Sequence, residues 1–177
     1  VEFHQPELHQ YDKSWATTGT KMQRKHNVIN SLSLDPYELE QMNVDRYARY
    51  HEIEENEAMA EEYLMDDAEI CVVAFGIAAR VAKNAINNAR KAGVKAGLIR
   101  PITLWPFPAK AVRKAAEHCT SFISVELSMG QMIEDVRLAM DCRRPVALCN
   151  RAGGVIPSPE EVYAKIMEAA GKGGAEK

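Results

Sequence analysis

The pattern of apolar and polar positions changes character near residue 69. Beyond that point, short continuous apolar runs alternate with segments of helical period. Ile70-Cys71-Val72-Val73-Ala74-Phe75 ends at Gly76 and predicts a strand buried on both faces. Ile77 to Ala92 repeats apolar residues at 77, 81, 85 and 89 and at 78, 82 and 86, then stops at Gly93, which predicts an amphipathic helix with a glycine after its last turn. Residues 95–99 read as a second strand. Arg100 to Pro108 follows, and its three prolines forbid a regular element there. Pro108 opens a helix carrying Val112, Ala115 and Ala116, and residues 121–126 form a third strand. Met132, Ile133, Val136, Ala139 and Met140 mark another helix, and residues 145–149 a fourth strand. Ser158-Pro159-Glu160-Glu161 is a capping box that starts a last helix through Ala170. Strands alternating with helices in this way predict a three-layer α/β fold, an open and mainly parallel sheet with helices on both faces.

The chain before residue 69 behaves differently. Residues 1–34 have no sustained period and read as extended linker; His4, His9 and His26 are scattered there without metal-ligand spacing. Asp35-Pro36-Tyr37-Glu38 predicts a helix start, with Asp35 accepting from free amides, Pro36 at the first helical position and Glu38 completing a capping box. Leu39, Met42, Tyr47, Tyr50 and Ile53 then form a thin apolar stripe with glutamate-rich flanks through Glu62, as for a helix laid across another surface. The expected organisation is a linker over 1–34, an acidic helical segment over 35–68, an α/β domain over 69–171 and a mobile tail over 172–177.

Charge sharpens this division. Residues 35–69 hold 13 acids against Arg46 and Arg49, a net of -11, so the other 142 residues carry +8 within a total of -3. Such a run serves either as a solvated face or as a docking surface for something basic. The remaining bases are dispersed and not interleaved with aromatics, which argues against nucleic-acid binding. No apolar run approaches the roughly 18 residues of a membrane span, and no signal or transit peptide is visible, so the expected compartment is cytoplasmic. With 46% hydrophobic residues, 177 residues suffice for one sizeable core. Cys71, Cys119, Cys142 and Cys149 have neither zinc nor iron–sulfur spacing and are expected to be buried free thiols.

In a parallel sheet, ligands approach the carboxyl ends of the strands. There stand Gly76, a glycine turn feeding a helix N-terminus, with Arg80 one turn on, Arg100 after the second strand and Arg151 after the fourth. Together they could clamp a phosphate or carboxylate. Alternatively, Glu126 at the end of the third strand could neutralise one or more of them. Gly-x-Gly-x-x-Gly fails at Ala78 and Val81, and there is no phosphate loop of the Gly-x-x-x-x-Gly-Lys type. No catalytic constellation is visible.

Five segments carry a resemblance: Trp15 to Thr20, His26 to Leu32, Arg100 to Pro108, Glu126 to Arg137 and Arg151 to Glu161. They resemble the alpha subunit of the 2-oxoacid:ferredoxin oxidoreductases, first of the 2-ketoisovalerate type and next of the 2-oxoglutarate type, over about Trp15 to Ala170. The resemblance implies a transketolase C-terminal-like domain. It also implies an enzyme that oxidatively decarboxylates a 2-oxoacid, forms acyl-coenzyme A and reduces ferredoxin, using thiamine diphosphate, magnesium and iron–sulfur clusters. Those groups would sit elsewhere, because the chain lacks the Gly-Asp-Gly signature, a cysteine cluster and the pyrimidine-binding domain. The fragment alone is then expected to be noncatalytic and to bind no cofactor itself. Its expected partners are a thiamine diphosphate-binding beta subunit and a ferredoxin-like subunit, with domain packing and subunit assembly as its task. Two other readings stay open: a stand-alone anion or coenzyme A binding module, and the C-terminal domain of another thiamine-dependent dehydrogenase or transketolase.

Overall fold

The computed structural model describes residues 7, 9–14, 16, 19, 21–23, 25 and 30–171. His4, His26, the resemblance-bearing residues Trp15, Thr17, Thr18 and Thr20, and the tail 172–177 lie outside the described residues. The chain divides into two compact units, Val1–Val44 and Asp45–Lys177.

In the first unit, the described residues before Asp35 form no helix or strand. Asp35 caps the first helix as expected, its Oδ1 accepting from the N–H groups of Tyr37 and Glu38 at 2.9 Å each. The expected capping box is only half formed, because the Glu38 carboxylate accepts instead from the Ser33 hydroxyl at 3.1 Å. Helix α1 runs Pro36–Asn56 and buries no residue along its length. It ends six residues short of the expected Glu62.

The second unit holds the sheet. Strands β1 (Ala60–Tyr63), β2 (Ile70–Ala74), β3 (Ala96–Pro101), β4 (Ser121–Glu126) and β5 (Val146–Asn150) lie in the order β1-β3-β2-β4-β5. All neighbours are parallel except β1, which runs antiparallel to β3 with Glu61 opposite Arg100. Strand β1 falls inside the stretch expected to be helical. Its sequence Ala-Glu-Glu-Tyr carries strand propensity only at Tyr63, and pairing with β3 supplies what local preference does not. It also explains why β3 reaches Pro101: that edge of the sheet is extended by β1 opposite.

Helices α2 (Gly76–Lys91), α3 (Ala109–Ala115), α4 (Met132–Ala139) and α5 (Pro159–Ala169) cover the sheet. Every residue of β2 is buried. Its alternate residues serve opposite layers, Ile70, Val72 and Ala74 meeting α2 and α5, Cys71 and Val73 meeting α3 and α4. Alanines at 78, 79, 82, 85 and 89 form the buried face of α2, small enough for the helix to lie close on the sheet. Gly93, at φ +76°, closes that helix, and the Val94 N–H returns to the Ala89 carbonyl at 2.9 Å. Ser158 and Glu161 form the complete capping box expected for α5.

The segregated charge finds its partner within this unit. Glu61 receives Lys83 at 2.5 Å and Arg100 at 2.7 Å, Asp67 receives Arg90 at 2.8 Å, Glu69 pairs with Lys95 at 3.2 Å and Glu62 with Lys114 at 3.5 Å. Glu55 is bonded to Lys110. Hydrogen bonds from Lys83 and Arg100 hold the Glu61 carboxyl below its ordinary range. Between Glu55 and Glu69 the acidic run therefore meets basic side chains of the α/β layers at five positions. Glu52, Glu54 and Glu57 do remain exposed. The part of the α1 stripe in this unit is only lightly covered: Tyr50 meets the Trp105 ring edge-on at 5.3 Å, and Tyr47 leans on Tyr50 at 5.8 Å.

Three cysteines are buried free thiols, while Cys142 is exposed, contrary to the expectation for all four. Burial pushes the Cys119 thiol up to about 11 and the Cys71 thiol well above its usual value.

Gly97 of β3 faces the turn between β1 and β2. A Cβ there would stand 2.5 Å from the Met65 sulfur and 2.6 Å from the Leu64 carbonyl oxygen. Gly97→Ala should therefore cost about 1–3 kcal/mol through overpacking against a backbone atom that cannot rotate away. Urea unfolding of the two chains measures it; equal midpoints would show that the turn yields freely.

Candidate functional site

The chain steps from β2 to β3 on one side, then returns past β2 to place β4 on the other. The connections after β2 and β4 consequently leave toward opposite faces, α2 to one and α4 to the other, and the carboxyl ends of these strands form the switch point where open sheets receive ligands.

On the β4 side, that position is filled from within. Glu126 closes the strand with 1% of its surface exposed. Its carboxylate accepts from the hydroxyls of Ser124 (3.0 Å) and Ser128, and from the N–H groups of Gln131 (2.8 Å), Met132 (3.0 Å) and Ile133 (3.2 Å) at the start of α4. A helix N-terminus concentrates unsatisfied N–H groups and positive potential, and here an internal carboxylate takes the place an external anion would occupy. Burial alone would push the Glu126 carboxyl up. The bonds from Ser128, Met132, Ser124 and Gln131 outweigh it and hold the group below its ordinary value. Asn150 of β5 donates to the Ser128 carbonyl at 2.8 Å and anchors the same loop.

On the β2 side, Gly76 adopts φ +58° and Phe75 supplies no side-chain cap to α2. Arg80 is exposed and has no hydrogen-bonding or ionic partner among the described residues. The other two arginines are committed elsewhere. Arg100 Nε donates to Glu61 at 2.7 Å, toward the β1 edge, and Arg151 pairs with Glu161 of α5. Strands β3 and β5 are separated by β2 and β4, so the two residues start about 14 Å apart at the strand spacing of a sheet. The three-arginine clamp is not assembled. Nor does Glu126 neutralise any arginine: the carboxylates that do so are Glu61 and Glu161, whose positions depend on β1 and on the α5 cap.

The same end of the sheet exposes apolar side chains in every connection. Ile77 follows β2; Ile102, Leu104 and Trp105 follow β3; Leu127 and Met129 follow β4; Val155 and Ile156 follow β5. Trp105 is 57% exposed and Met129 80%, so these are not margins of the core. Met59, which leads into β1 at this end, is held by the Thr103 hydroxyl at 2.9 Å and is itself half exposed. A rim of this composition suits protein contact better than a small polar ligand. Local periodicity had no means of revealing it, because each loop contributes only one to three residues and the strand order gathers them.

Among the described residues, no group of three or more His, Cys, Asp or Glu is placed to hold a metal, and no helix is long and apolar enough to cross a membrane.

Order, layers and the antiparallel β1 edge define an α/β domain of the kind found at the C-terminus of transketolase-like proteins. A split-gene transketolase superimposes with a TM-score of 0.55 at 17% identity, over 63% of this chain and 41% of that one. The 2-oxoglutarate:ferredoxin oxidoreductase from Magnetococcus marinus does so with a TM-score of 0.67 at 20% identity, over 77% of this chain and 24% of that one. Sequence comparison goes further. The model for pyruvate:ferredoxin oxidoreductase core domain II matches residues 68–162. Ketoisovalerate oxidoreductase subunit VorB of Methanothermobacter marburgensis is 48% identical over 164 residues, covering 93% of this chain and 46% of that protein. The 2-oxoglutarate synthase subunit KorA of the same organism is 39% identical over 102 residues, covering 58% and 27%. The chain belongs to the 2-oxoacid:ferredoxin oxidoreductase family, as a core domain of the alpha-subunit type. It spans about half the length of the curated ketoisovalerate relatives it matches.

Glu126→Gln places an amide among five donors and should destabilise the chain by about 2–4 kcal/mol, the cost of stranding buried donors. Because the folded carboxyl titrates below its unfolded value, its contribution is complete above the ordinary glutamate range and is lost as pH falls through the depressed folded value. Urea midpoints taken from pH 7 downward should converge for the two chains in acid. A constant gap would show that the carboxylate charge is not the source.

Proposed function

We propose that this chain serves as the core domain II portion of an alpha subunit in a cytoplasmic 2-oxoacid:ferredoxin oxidoreductase, and that its work is domain packing and subunit assembly. The complete enzyme would oxidatively decarboxylate a 2-oxoacid, of the 2-ketoisovalerate type by its similarity to VorB, to an acyl-coenzyme A while reducing ferredoxin. A thiamine diphosphate-binding beta subunit and a ferredoxin-like subunit would be its partners. The observation that carries the assembly role is the apolar rim at the carboxyl end of the sheet, where a ligand-binding member of this architecture would present polar groups.

The donor set of the described residues does not fit thiamine diphosphate, magnesium or an iron–sulfur cluster. The α4 N-terminus is saturated by Glu126, three of the four thiols are buried apart from any cluster, and no acidic group of three is assembled among the described residues. A second reading retains Gly76 and Arg80 alone: the uncapped start of α2 beside an exposed guanidinium could contact a phosphate of coenzyme A.

Leu127→Asp combined with Trp105→Asp, introduced into the complete enzyme, should leave this domain folded and lower the yield of assembled complex at least about tenfold, since each buried carboxylate costs several kcal/mol at a protein interface. Size-exclusion chromatography of the complex and circular dichroism of the 177-residue chain report the two properties separately. Unchanged assembly would end the packing role. Arg80→Ala tests the second reading, which requires weaker coenzyme A binding in the assembled enzyme.

A further inference from the structure

The loop that leaves β3 carries Ile102, Leu104 and Trp105 onto the rim, and its own sequence gives it little to hold that course. Pro106 and Pro108 lack the N–H groups that would close it from within. Continuing the β1–β3 register sets Met59 opposite Ile102, a pair that in a regular antiparallel ladder would exchange two backbone bonds. One of them forms, from the Ile102 N–H to the Met59 carbonyl at 2.9 Å. A side chain takes over the other. The Met59 N–H donates to the Thr103 hydroxyl at 2.9 Å, and that hydroxyl donates to the Pro106 carbonyl at 2.8 Å. One oxygen thereby ties the end of the ladder to the far side of the turn that bears Trp105. Among the described residues, it makes the single hydrogen bond that reaches the stretch from Leu104 to Pro106.

We propose that Thr103 is the positioning residue of the rim: its hydroxyl fixes the Trp105 loop in the free chain, so that an assembling partner meets Trp105 already in place. This rests on the reading of the rim as an assembly surface. An exposed side chain that must be immobilised on binding weakens an interface, and an aromatic anchor held in advance avoids that loss. Tyr50 touches the Trp105 ring edge-on at 5.3 Å, but it stands on a helix with no buried residue and restrains the ring alone. The backbone course that aims the ring outward, 57% exposed, is set by the hydroxyl.

Thr103→Val keeps the branched shape and removes the hydroxyl, whereas Thr103→Ser keeps the hydroxyl. Both are made in the 177-residue chain with Trp15→Phe, which leaves Trp105 as its one tryptophan. Thr103→Val should exchange the Met59 amide at least about tenfold faster and lower the fluorescence anisotropy of Trp105. In the complete enzyme it should raise the protein concentration at which the complex half-dissociates about three- to tenfold, the effect of leaving one anchor side chain to be ordered on binding. Thr103→Ser should match the unaltered protein in all three measurements; if it behaves as Thr103→Val does, the role of the hydroxyl is overturned. Trp105→Ala separates this proposal from the rim reading. If Trp105→Ala weakens assembly while Thr103→Val frees the Met59 amide without weakening it, the rim stands and the positioning role falls. If Trp105→Ala leaves assembly unchanged, the rim reading falls and takes this proposal with it. Should Thr103→Val fail to fold, the unaltered chain decides: a Met59 amide that exchanges as an open amide, or a Trp105 ring that rotates freely on the nanosecond scale, ends the proposal.

Discussion

A parallel sheet buried on both faces has few surfaces left with which to meet other molecules, and that constraint governs this chain. Strand β2 is covered completely by α2 and α5 on one side and by α3 and α4 on the other. Its faces are spent on the core, so recognition falls to the ends of the strands and to the sheet edges. The apolar rim at the carboxyl end and the sheet edges are what remain, and their chemistry differs accordingly. The rim offers side chains, whereas an edge offers backbone hydrogen bonds.

The helix termini at the carboxyl end follow from the same geometry. Parallel strands deliver every following helix N-terminus to one end of the sheet, where their combined positive potential demands an anion. In many folds a ligand phosphate meets that demand. Here α4 is satisfied by Glu126, which draws two hydroxyls and three amides onto one carboxylate and gives the loop from Leu127 to Gln131 a fixed course. The α5 terminus is likewise closed by Ser158 and Glu161, with Arg151 bound to the latter. Around α4 and α5, where that requirement is met internally, the end is free to be apolar, whereas the start of α2 has no side-chain cap. The outward display of Leu127, Met129 and Trp105 is consistent with that.

Long-range charge complementarity then ties β1 and its connection to β2 onto the α/β layers. Glu61, Glu62, Asp67 and Glu69 reach four different elements or connections of the α/β layers. Most of these pairs are solvent-exposed, and pairs of that kind contribute little singly. Their value is in register: Glu61 opposite Arg100 can be satisfied only when β1 lies antiparallel along β3.

The sequence by itself determined what local periodicity and capping chemistry can carry. The four parallel strands, the helices between them, the Asp35 and Ser158 caps and the glycine stop at Gly93 were all legible, because each rests on residues within a few positions of one another. The failed nucleotide fingerprint was equally plain, as was the family resemblance of the Arg100 to Pro108 string. Tertiary structure alone decided the rest. β1 has no apolar alternation to betray it and exists because β3 offers a free ladder. Arg100 turned to Glu61 because β1 lies along β3, and Arg151 to Glu161 because the α5 cap stands beside the end of β5. The rim arises from residues dozens of positions apart, and only the crossover connections bring them to one surface.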